Sequence, residues 1–302
     1  MPHGRTTFPS KGYCIYCGAS NKPLTDEHIV PLSLGGVHVI EKASCNSCNK
    51  ITAKFEQDVT RGMWGDARIS YNAPTRRRKT RPTHIQLVDP SDKTTYLVPY
   101  RDYPAPIFTY QMSRAGLLEG LPEDLDISPG WKISTITDTN RAKEFQERYG
   151  RPLTAKFRHV PKSFGRLIAK IGYGQVLTSL DVEDFTPICL PHILDDKRNV
   201  SYVVGGSLEY PPPIKELGYS LRMMGFGDYK RMMILVEVRL YANNSMPVYH
   251  VVVGEIRGQT NIDTALKKLD YPEIHLFPPY ISAQTFDTTK AHWLPSIWPL
   301  PN

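Results

Sequence analysis

Long apolar runs are missing from this chain. The longest, around Met232 to Val236, falls far short of the roughly 18 residues that suggest a membrane span. Residues 1–10 contain neither an apolar stretch nor a small-residue cleavage site of the secretory type. These absences argue against a membrane protein and against a secreted one, so we expect a cytoplasmic location.

Cysteine is also scarce, with five residues among 302. A chain of this length can bury a sizeable core without help from disulfide bonds. Four of the five cysteines nevertheless fall into two Cys-x-x-Cys pairs. In a reducing compartment such pairs hold a metal ion more often than they form disulfides.

Acidic residues are few in the first quarter of the chain. Residues 1–82 contain 13 Lys and Arg against six Asp and Glu, a net charge of +7, whereas the remaining 24 basic and 24 acidic residues cancel. This quarter ends in a basic run, Thr-Arg-Arg-Arg-Lys-Thr-Arg-Pro at residues 75–82. Such a run is attracted to a phosphate backbone, although a solvated, flexible segment has the same composition.

The spacing of the two cysteine pairs is typical of zinc sites. Cys14-x2-Cys17 and Cys45-x2-Cys48 are separated by 27 residues, so that two turns clamp an intervening loop. Four cysteine ligands leave no open coordination position for a substrate. The sequence therefore predicts a structural zinc ion, and any catalytic group must lie elsewhere.

The loop between the cysteine pairs carries the candidate catalytic residues. Glu27 and His28 precede the second pair, and Asn49 follows it directly. Folding the loop back brings the segment with Glu27 and His28 against the first turn of the helix with Asn49. Carboxylate and amide oxygens suit Mg²⁺ or Mn²⁺, and a neutral imidazole can take a proton from water near pH 7. This set predicts a site for phosphodiester hydrolysis.

The same motifs resemble a known family. Cys-x-x-Cys, then Glu-His-Ile-x-Pro with Gly-Gly, then Cys-x-x-Cys-Asn and a helix are similar to the HNH endonucleases of the ββα-metal fold. The likeness is to the zinc-clamped, four-cysteine branch that includes phage endonuclease VII, and it covers about residues 12–62. It implies that His28 is the general base, that Asn49 binds a catalytic ion and that the four cysteines hold zinc.

Two features depart from the family pattern. The family usually has Asp immediately before the histidine, where this chain has Glu27, with Asp26 one position earlier. Which carboxylate binds the ion stays open, because strand alternation favours Glu27 only if the local register is regular. The family also commonly carries an Asn before the second cysteine pair, but no Asn occurs between Pro31 and Ser44. His38 in this stretch is interpreted as a surface loop histidine.

The predicted fold class is α+β, with a small N-terminal ββα-metal zinc module and a larger α+β domain containing an antiparallel sheet. The predicted boundaries are 1–70 for the nuclease module, 71–82 for a basic linker and 83–302 for an α+β domain whose role the sequence leaves open, with target recognition as one candidate. Apolar periodicity predicts helices over 45–62, 139–149 and 162–180, and alternation predicts hairpins over 83–98 and 232–256. Residues 278–302 are rich in Pro and aromatic residues, without periodicity.

The sequence thus predicts a metal-dependent endonuclease that acts on DNA and uses no nucleotide cofactor. The expected ions are structural Zn²⁺ and catalytic Mg²⁺ or Mn²⁺. The predicted phosphate contacts are Lys50, Lys54, Arg76, Arg77, Arg78, Lys79 and Arg81. Two alternatives remain: a zinc module that binds nucleic acid without cutting it, and a larger domain with an activity of its own. Oligomeric state cannot be predicted.

Overall fold

A computed structural model describes residues 5–73, 75, 78–151, 153–155, 157–206, 211–214 and 218–269. Two predicted phosphate contacts, Arg76 and Arg77, lie outside the described residues, as do the side chain of Arg78 and the Pro-rich residues 278–302. In the part of the chain that the structure describes, no helix combines the length and the apolarity that a membrane span requires.

The architecture is mixed α+β, as predicted. The described strands are β1 (Thr6–Phe8), β2 (Leu24–His28), β3 (His38–Cys45), β4 (His84–Val88), β5 (Thr95–Pro99), β6 (Ile107–Gln111), β7 (Lys132–Ile136), β8 (Thr186–Pro187), β9 (Val204–Gly206), β10 (Tyr219–Gly227), β11 (Arg231–Leu240) and β12 (Tyr249–Arg257). The described α-helices are α1 (Asn46–Gln57), α2 (Gly65–Ser70), α3 (Thr139–Tyr149), α4 (Pro161–Val176), α5 (Leu190–Leu194) and α6 (Gln259–Lys268).

The N-terminal part is a small ββα unit. β3 lies between β1 and β2, parallel to the first and antiparallel to the second. It runs directly into α1, since Cys45 ends the strand and is also the residue before the helix. α1 continues as a π-helical segment, Asp58–Met63, so the predicted helix over 45–62 is confirmed with a change of winding near its end. This arrangement places the first turn of α1 beside β2.

The Gly-Gly pair shapes the connection between β2 and β3. Gly35 has a φ of 85°, a left-handed conformation that glycine adopts without strain. A Cβ atom at Gly36 would lie 1.7 Å from the carbonyl oxygen of Val30. Because no side chain fits between these two backbone segments, the close turn requires glycine at position 36.

Gly36→Ala is expected to lower the free energy of unfolding by about 3 kcal/mol, because the backbone must move to relieve the overlap. Denaturant unfolding of the purified variant measures this change. Gly65→Ala is the matched control, since a Cβ atom there meets nothing within 4 Å. It should shift stability by about 0.5 kcal/mol or less. Equal losses in the two variants would contradict the packing argument.

The remainder of the described chain is built around an antiparallel sheet. Its strand order is β10-β11-β12-β8, and β9 pairs with β12 beside β8. The predicted hairpins are confirmed as β4-β5 and β11-β12. The helix predicted over 139–149 is confirmed as α3; Asp138 caps its first turn and Gly150 ends it with a φ of 66°.

α4 connects the two parts of the described structure. Every residue from Phe164 to Val176 is buried. The helix packs against α1 on one side and against β11 and β12 on the other. A single hydrophobic core therefore runs from the N-terminal ββα unit into the larger sheet. The helix ends at Val176, earlier than the predicted 180.

Candidate functional site

The four paired cysteines converge at one point. The Sγ atoms of Cys14, Cys17, Cys45 and Cys48 all lie within 4.8 Å of one another. The Sγ atoms of Cys17 and Cys45 are 3.8 Å apart. Tetrahedral coordination with a Zn–S bond of about 2.3 Å requires sulfur atoms separated by about 3.8 Å. The cluster therefore fits a zinc ion bound by four thiolates.

Backbone contacts hold the two cysteine turns together. The Gly18 N–H donates to the carbonyl oxygen of Cys14 at 2.8 Å and closes the first turn. The Cys45 N–H donates to the sulfur of Cys14 at 3.3 Å, which ties the first turn to the start of α1. A hydrogen bond from the Cys48 N–H is the main cause that lowers the pKa of the Cys45 thiol to about 7. This favours the thiolate form of Cys45, the form that zinc binds, whereas burial raises the pKa of the Cys14 and Cys48 thiols.

A cleft of about 860 Å³ opens beside this cluster, between β2 and α1. The predicted catalytic residues His28, Glu27 and Asn49 all line it, together with Asp26. Its other lining residues come from β2, the turn after it, α1, the π-helical segment, α2, the chain after α2, and α4: Thr25, Pro31, Leu32, Ser33, Thr52, Ala53, Glu56, Gln57, Thr60, Arg61, Arg68, Thr75 and Lys170. One cavity thus collects groups that lie far apart in the sequence.

Asn49 faces β2 across the cleft. Its Nδ2 donates to the hydroxyl of Thr25 at 3.3 Å, and that hydroxyl donates to the carbonyl oxygen of Ser44 at 3.1 Å. These bonds bring the first turn of α1 against β2, as the sequence predicted. His28 ends β2 opposite Val39 and is half-buried at the cleft wall.

Two neighbouring carboxylates have different surroundings. Asp26 is exposed, and its hydrogen bond from Arg5 is the main cause that lowers its pKa, followed by one from the Lys42 N–H. Glu27 is buried, with its Oε1 atom 2.7 Å from the Nζ atom of Lys170. Burial raises the pKa of Glu27, and the charge of Lys170 opposes that shift.

The register of β2 does not decide which carboxylate would bind an ion. Thr25 pairs with Ser44 and Glu27 with Ile40, and the pairing is irregular between them. Lys42 in the opposite strand has a φ of 44°. The regular alternation that would favour Glu27 is therefore absent here. The cleft still offers oxygen donors from Asp26, Glu27 and Asn49, the ligand type that fits Mg²⁺ or Mn²⁺.

A family comparison agrees with this geometry. Residues 14–62 match the model of the HNH endonuclease family. These residues are called the HNH module below; they are 49 of the 302 residues, so the match concerns the N-terminal part alone. The family indicates nuclease activity and a nucleic-acid substrate. Comparison with curated proteins found no match, and comparison with solved structures found none.

Sequence reasoning missed several charged groups around the HNH module. Arg61 is exposed and lines the cleft. Arg68 donates to the carbonyl oxygens of Ser33 at 2.9 Å and Thr60 at 2.8 Å, and so joins α2 to the turn after β2. Arg61 follows Lys54 by seven residues, a helical spacing that could have suggested a shared face. Nothing in the local pattern pointed to Lys170.

The predicted phosphate contacts in the described residues differ in position. Lys50 and Lys54 are exposed one turn apart on α1. Lys79 is exposed, whereas Arg81 donates to the side chain of Asn72 and the carbonyl oxygen of Ala73. Arg81 is therefore engaged within the chain.

The interpretation of His38 as a surface loop residue is wrong. It begins β3, is 2% exposed, and lies between the rings of Phe8 and Tyr219 at 5.7 and 6.2 Å. Tyr219 belongs to β10, a strand the sequence analysis did not predict. The histidine is buried because a distant part of the chain covers the HNH module at this point.

Proposed function

We propose that this protein is an endonuclease that uses a divalent ion to hydrolyse phosphodiester bonds in DNA. The observation that carries the proposal is the shared cleft, in which His28, Asn49 and two carboxylates lie beside the four-cysteine cluster of an HNH module. Zn²⁺ on the cysteines is structural in this proposal, since four sulfur ligands leave no position for a substrate.

His28 is the proposed general base. Its imidazole accepts a proton from water, and the water oxygen attacks the phosphorus atom. The bond from phosphorus to the 3′ oxygen then breaks, and the departing oxygen takes a proton from solvent, which leaves a 5′-phosphate and a 3′-hydroxyl. Mg²⁺ or Mn²⁺, when bound, supplies positive charge that offsets the developing charge on the phosphate and on the leaving oxygen.

The proposed ligands of this ion are Asn49 and a carboxylate. Asn49 lines the cleft and donates to Thr25 of β2, the strand that also carries Asp26 and Glu27. Both carboxylates already have a cation: Asp26, which is exposed, is paired with Arg5, and the buried Glu27 lies 2.7 Å from Lys170. Glu27 remains the ligand that the family resemblance implies, and Asp26 is the alternative.

DNA binding in this proposal depends on backbone charge. Lys50, Lys54 and Arg61 project from the same helical segment that borders the cleft, with Lys79 as a further exposed cation.

The thiol-rich zinc site suits a reducing compartment, so a cytoplasmic location belongs to the same proposal.

The double variant Lys50→Ala/Lys54→Ala is expected to weaken DNA binding at every sequence and to flatten its salt dependence. Each lost phosphate contact lowers the slope of log K against log salt by about 0.9. Fluorescence anisotropy with one labelled duplex at several salt concentrations measures both effects. Lys143→Ala, on exposed α3 outside the cleft, is the control. An unchanged slope in the double variant would place the DNA on another face.

The direct test of the function is cleavage of matched duplex, single-stranded and branched DNA and of RNA, with Mg²⁺ or Mn²⁺ present. Products ending in 5′-phosphate support the proposal and identify the substrate. The competing function is a module that binds nucleic acid without cutting it. Two departures from the family pattern favour that alternative: Glu27 in the position where the family usually has Asp, and the absence of Asn between Pro31 and Ser44. Retained binding with no cleavage of any substrate would establish it.

A further inference from the structure

A lysine from outside the HNH module lies in the wall of the cleft. Lys170 belongs to α4 and is 1% exposed. Its Nζ atom is 2.7 Å from Glu27 Oε1 and 2.9 Å from Glu56 Oε1. It also donates to the carbonyl oxygen of His28, and at 3.4 Å to that of Ile29. Four oxygens from β2, the turn after it and α1 thus surround one ammonium group.

This arrangement compensates for the burial of a charge. An ammonium group without partners in a protein interior is costly, and lysine is rarely buried unless it is paired. The two carboxylates and the two backbone carbonyl oxygens supply the partners that this buried ammonium group requires. The group is therefore held at a fixed place beside the candidate catalytic residues.

The contacts of Lys170 act on the backbone of the candidate general base. The carbonyl group of His28 accepts a hydrogen bond from it, so the end of β2 is held from α4 as well as from β3. α4 makes a second bond into the module, from the Tyr173 hydroxyl to the Ile15 carbonyl oxygen at 2.6 Å. Since Tyr173 and Lys170 are three residues apart on one helix, they face the module together.

We propose that Lys170 is a positioning residue of the nuclease site, which holds the main chain of His28 and the carboxylates of Glu27 and Glu56 in their working places. The larger part of the chain then completes the active site through α4, in addition to any role in target selection. This inference rests on the proposed nuclease function.

The test compares variants of the intact protein. Lys170→Met alone would leave the buried Glu27 and the half-buried Glu56 without their shared cation, so it is combined with Glu56→Gln, and the reference is Glu56→Gln with the lysine intact. Lys162→Met is the second control, because this exposed lysine on the same helix donates to the Asp196 carbonyl oxygen and does not line the cleft. Each variant is first shown to hold wild-type zinc and to melt cooperatively.

We expect the kcat for DNA cleavage of Lys170→Met/Glu56→Gln to fall about 10- to 100-fold below that of Glu56→Gln, with KM changed by less than about twofold. Lys162→Met should match the wild type. A purely structural role would lower the melting temperature and leave kcat per folded molecule unchanged, and that result would overturn the proposal. If the double variant does not fold, Lys170→Gln/Glu56→Gln keeps an uncharged donor group at this position, and its kcat must still fall at least about fivefold.

Different results would contradict the nuclease function and the role of Lys170. Absence of cleavage by the zinc-loaded wild type would remove the nuclease function and this inference together. Cleavage by the wild type with equal kcat in Glu56→Gln and in the Lys170 double variant would remove only the role of Lys170.

Discussion

Loss of zinc is expected to unfold the HNH module and to lower the melting temperature of the intact protein by roughly 10 °C or more. Structural zinc sites contribute on the order of 10 kcal/mol of binding free energy that is coupled to folding. Here the cluster joins the turn at Cys14 to the start of α1, and the module shares its core with α4. Removing the ion should therefore disturb the larger sheet as well.

The Cys45→Ser variant tests this expectation: its zinc content is measured directly, and its melting temperature is measured by circular dichroism. Chelation of zinc from the wild-type protein is a parallel test. Cys189→Ser is the matched control, because Cys189 is fully buried but lies outside the cluster. It should keep about one zinc ion per chain, the stoichiometry of a single four-cysteine site. A Cys45→Ser protein with undiminished zinc and an unchanged melting temperature would contradict the assignment of the cluster.

His28→Ala is expected to lower kcat for DNA cleavage by about 10²- to 10⁴-fold, the usual contribution of a positioned general base. DNA affinity should stay within about twofold, because the proposed backbone contacts come from other residues. Single-turnover cleavage with a labelled duplex separates the chemical step from binding and release.

The matched control for this variant is His84→Ala. His84 is an exposed histidine at the start of β4, outside the cleft. Both variants must hold wild-type zinc before their rates are compared. Equal cutting by His28→Ala and the wild type would indicate another site or a contaminating nuclease, and it would remove His28 from the mechanism.

The parts of the fold that the sequence predicted correctly depend on local patterns. The two cysteine pairs meet as their spacing implies, and the segment with His28 lies against the first turn of α1. The β4-β5 and β11-β12 hairpins follow alternation and turn residues over short distances. α3 has both an N-terminal cap and a terminal glycine in its sequence.

The features that sequence reasoning missed depend on contacts between distant segments. Lys170 and His28 are 142 positions apart, and only the packing of α4 against α1 brings them together. The ring of Tyr219 in β10 packs against His38 and helps to bury it. The short motif around His38 gives no indication of this contact. The irregular pairing near Glu27 is equally invisible, because it depends on the backbone of the opposite strand at Lys42.

The division into residues 1–70, 71–82 and 83–302 remains a prediction. The composition change at the basic run favours this division. The continuous core through α4, however, shows that residues of the HNH module pack against residues far beyond position 82. For this reason the experiments above use the intact chain.

The central claim is that the cleft beside the cysteine cluster is a nuclease site that depends on a divalent ion. The most direct measurement is the initial rate of supercoiled plasmid nicking by the zinc-loaded intact protein as Mn²⁺ is titrated. We predict no nicking with structural zinc alone, a rate that rises with Mn²⁺ and saturates, and loss of that rate in His28→Ala. Salt-sensitive DNA binding without nicking at any Mn²⁺ or Mg²⁺ concentration would contradict the claim and support a binding module.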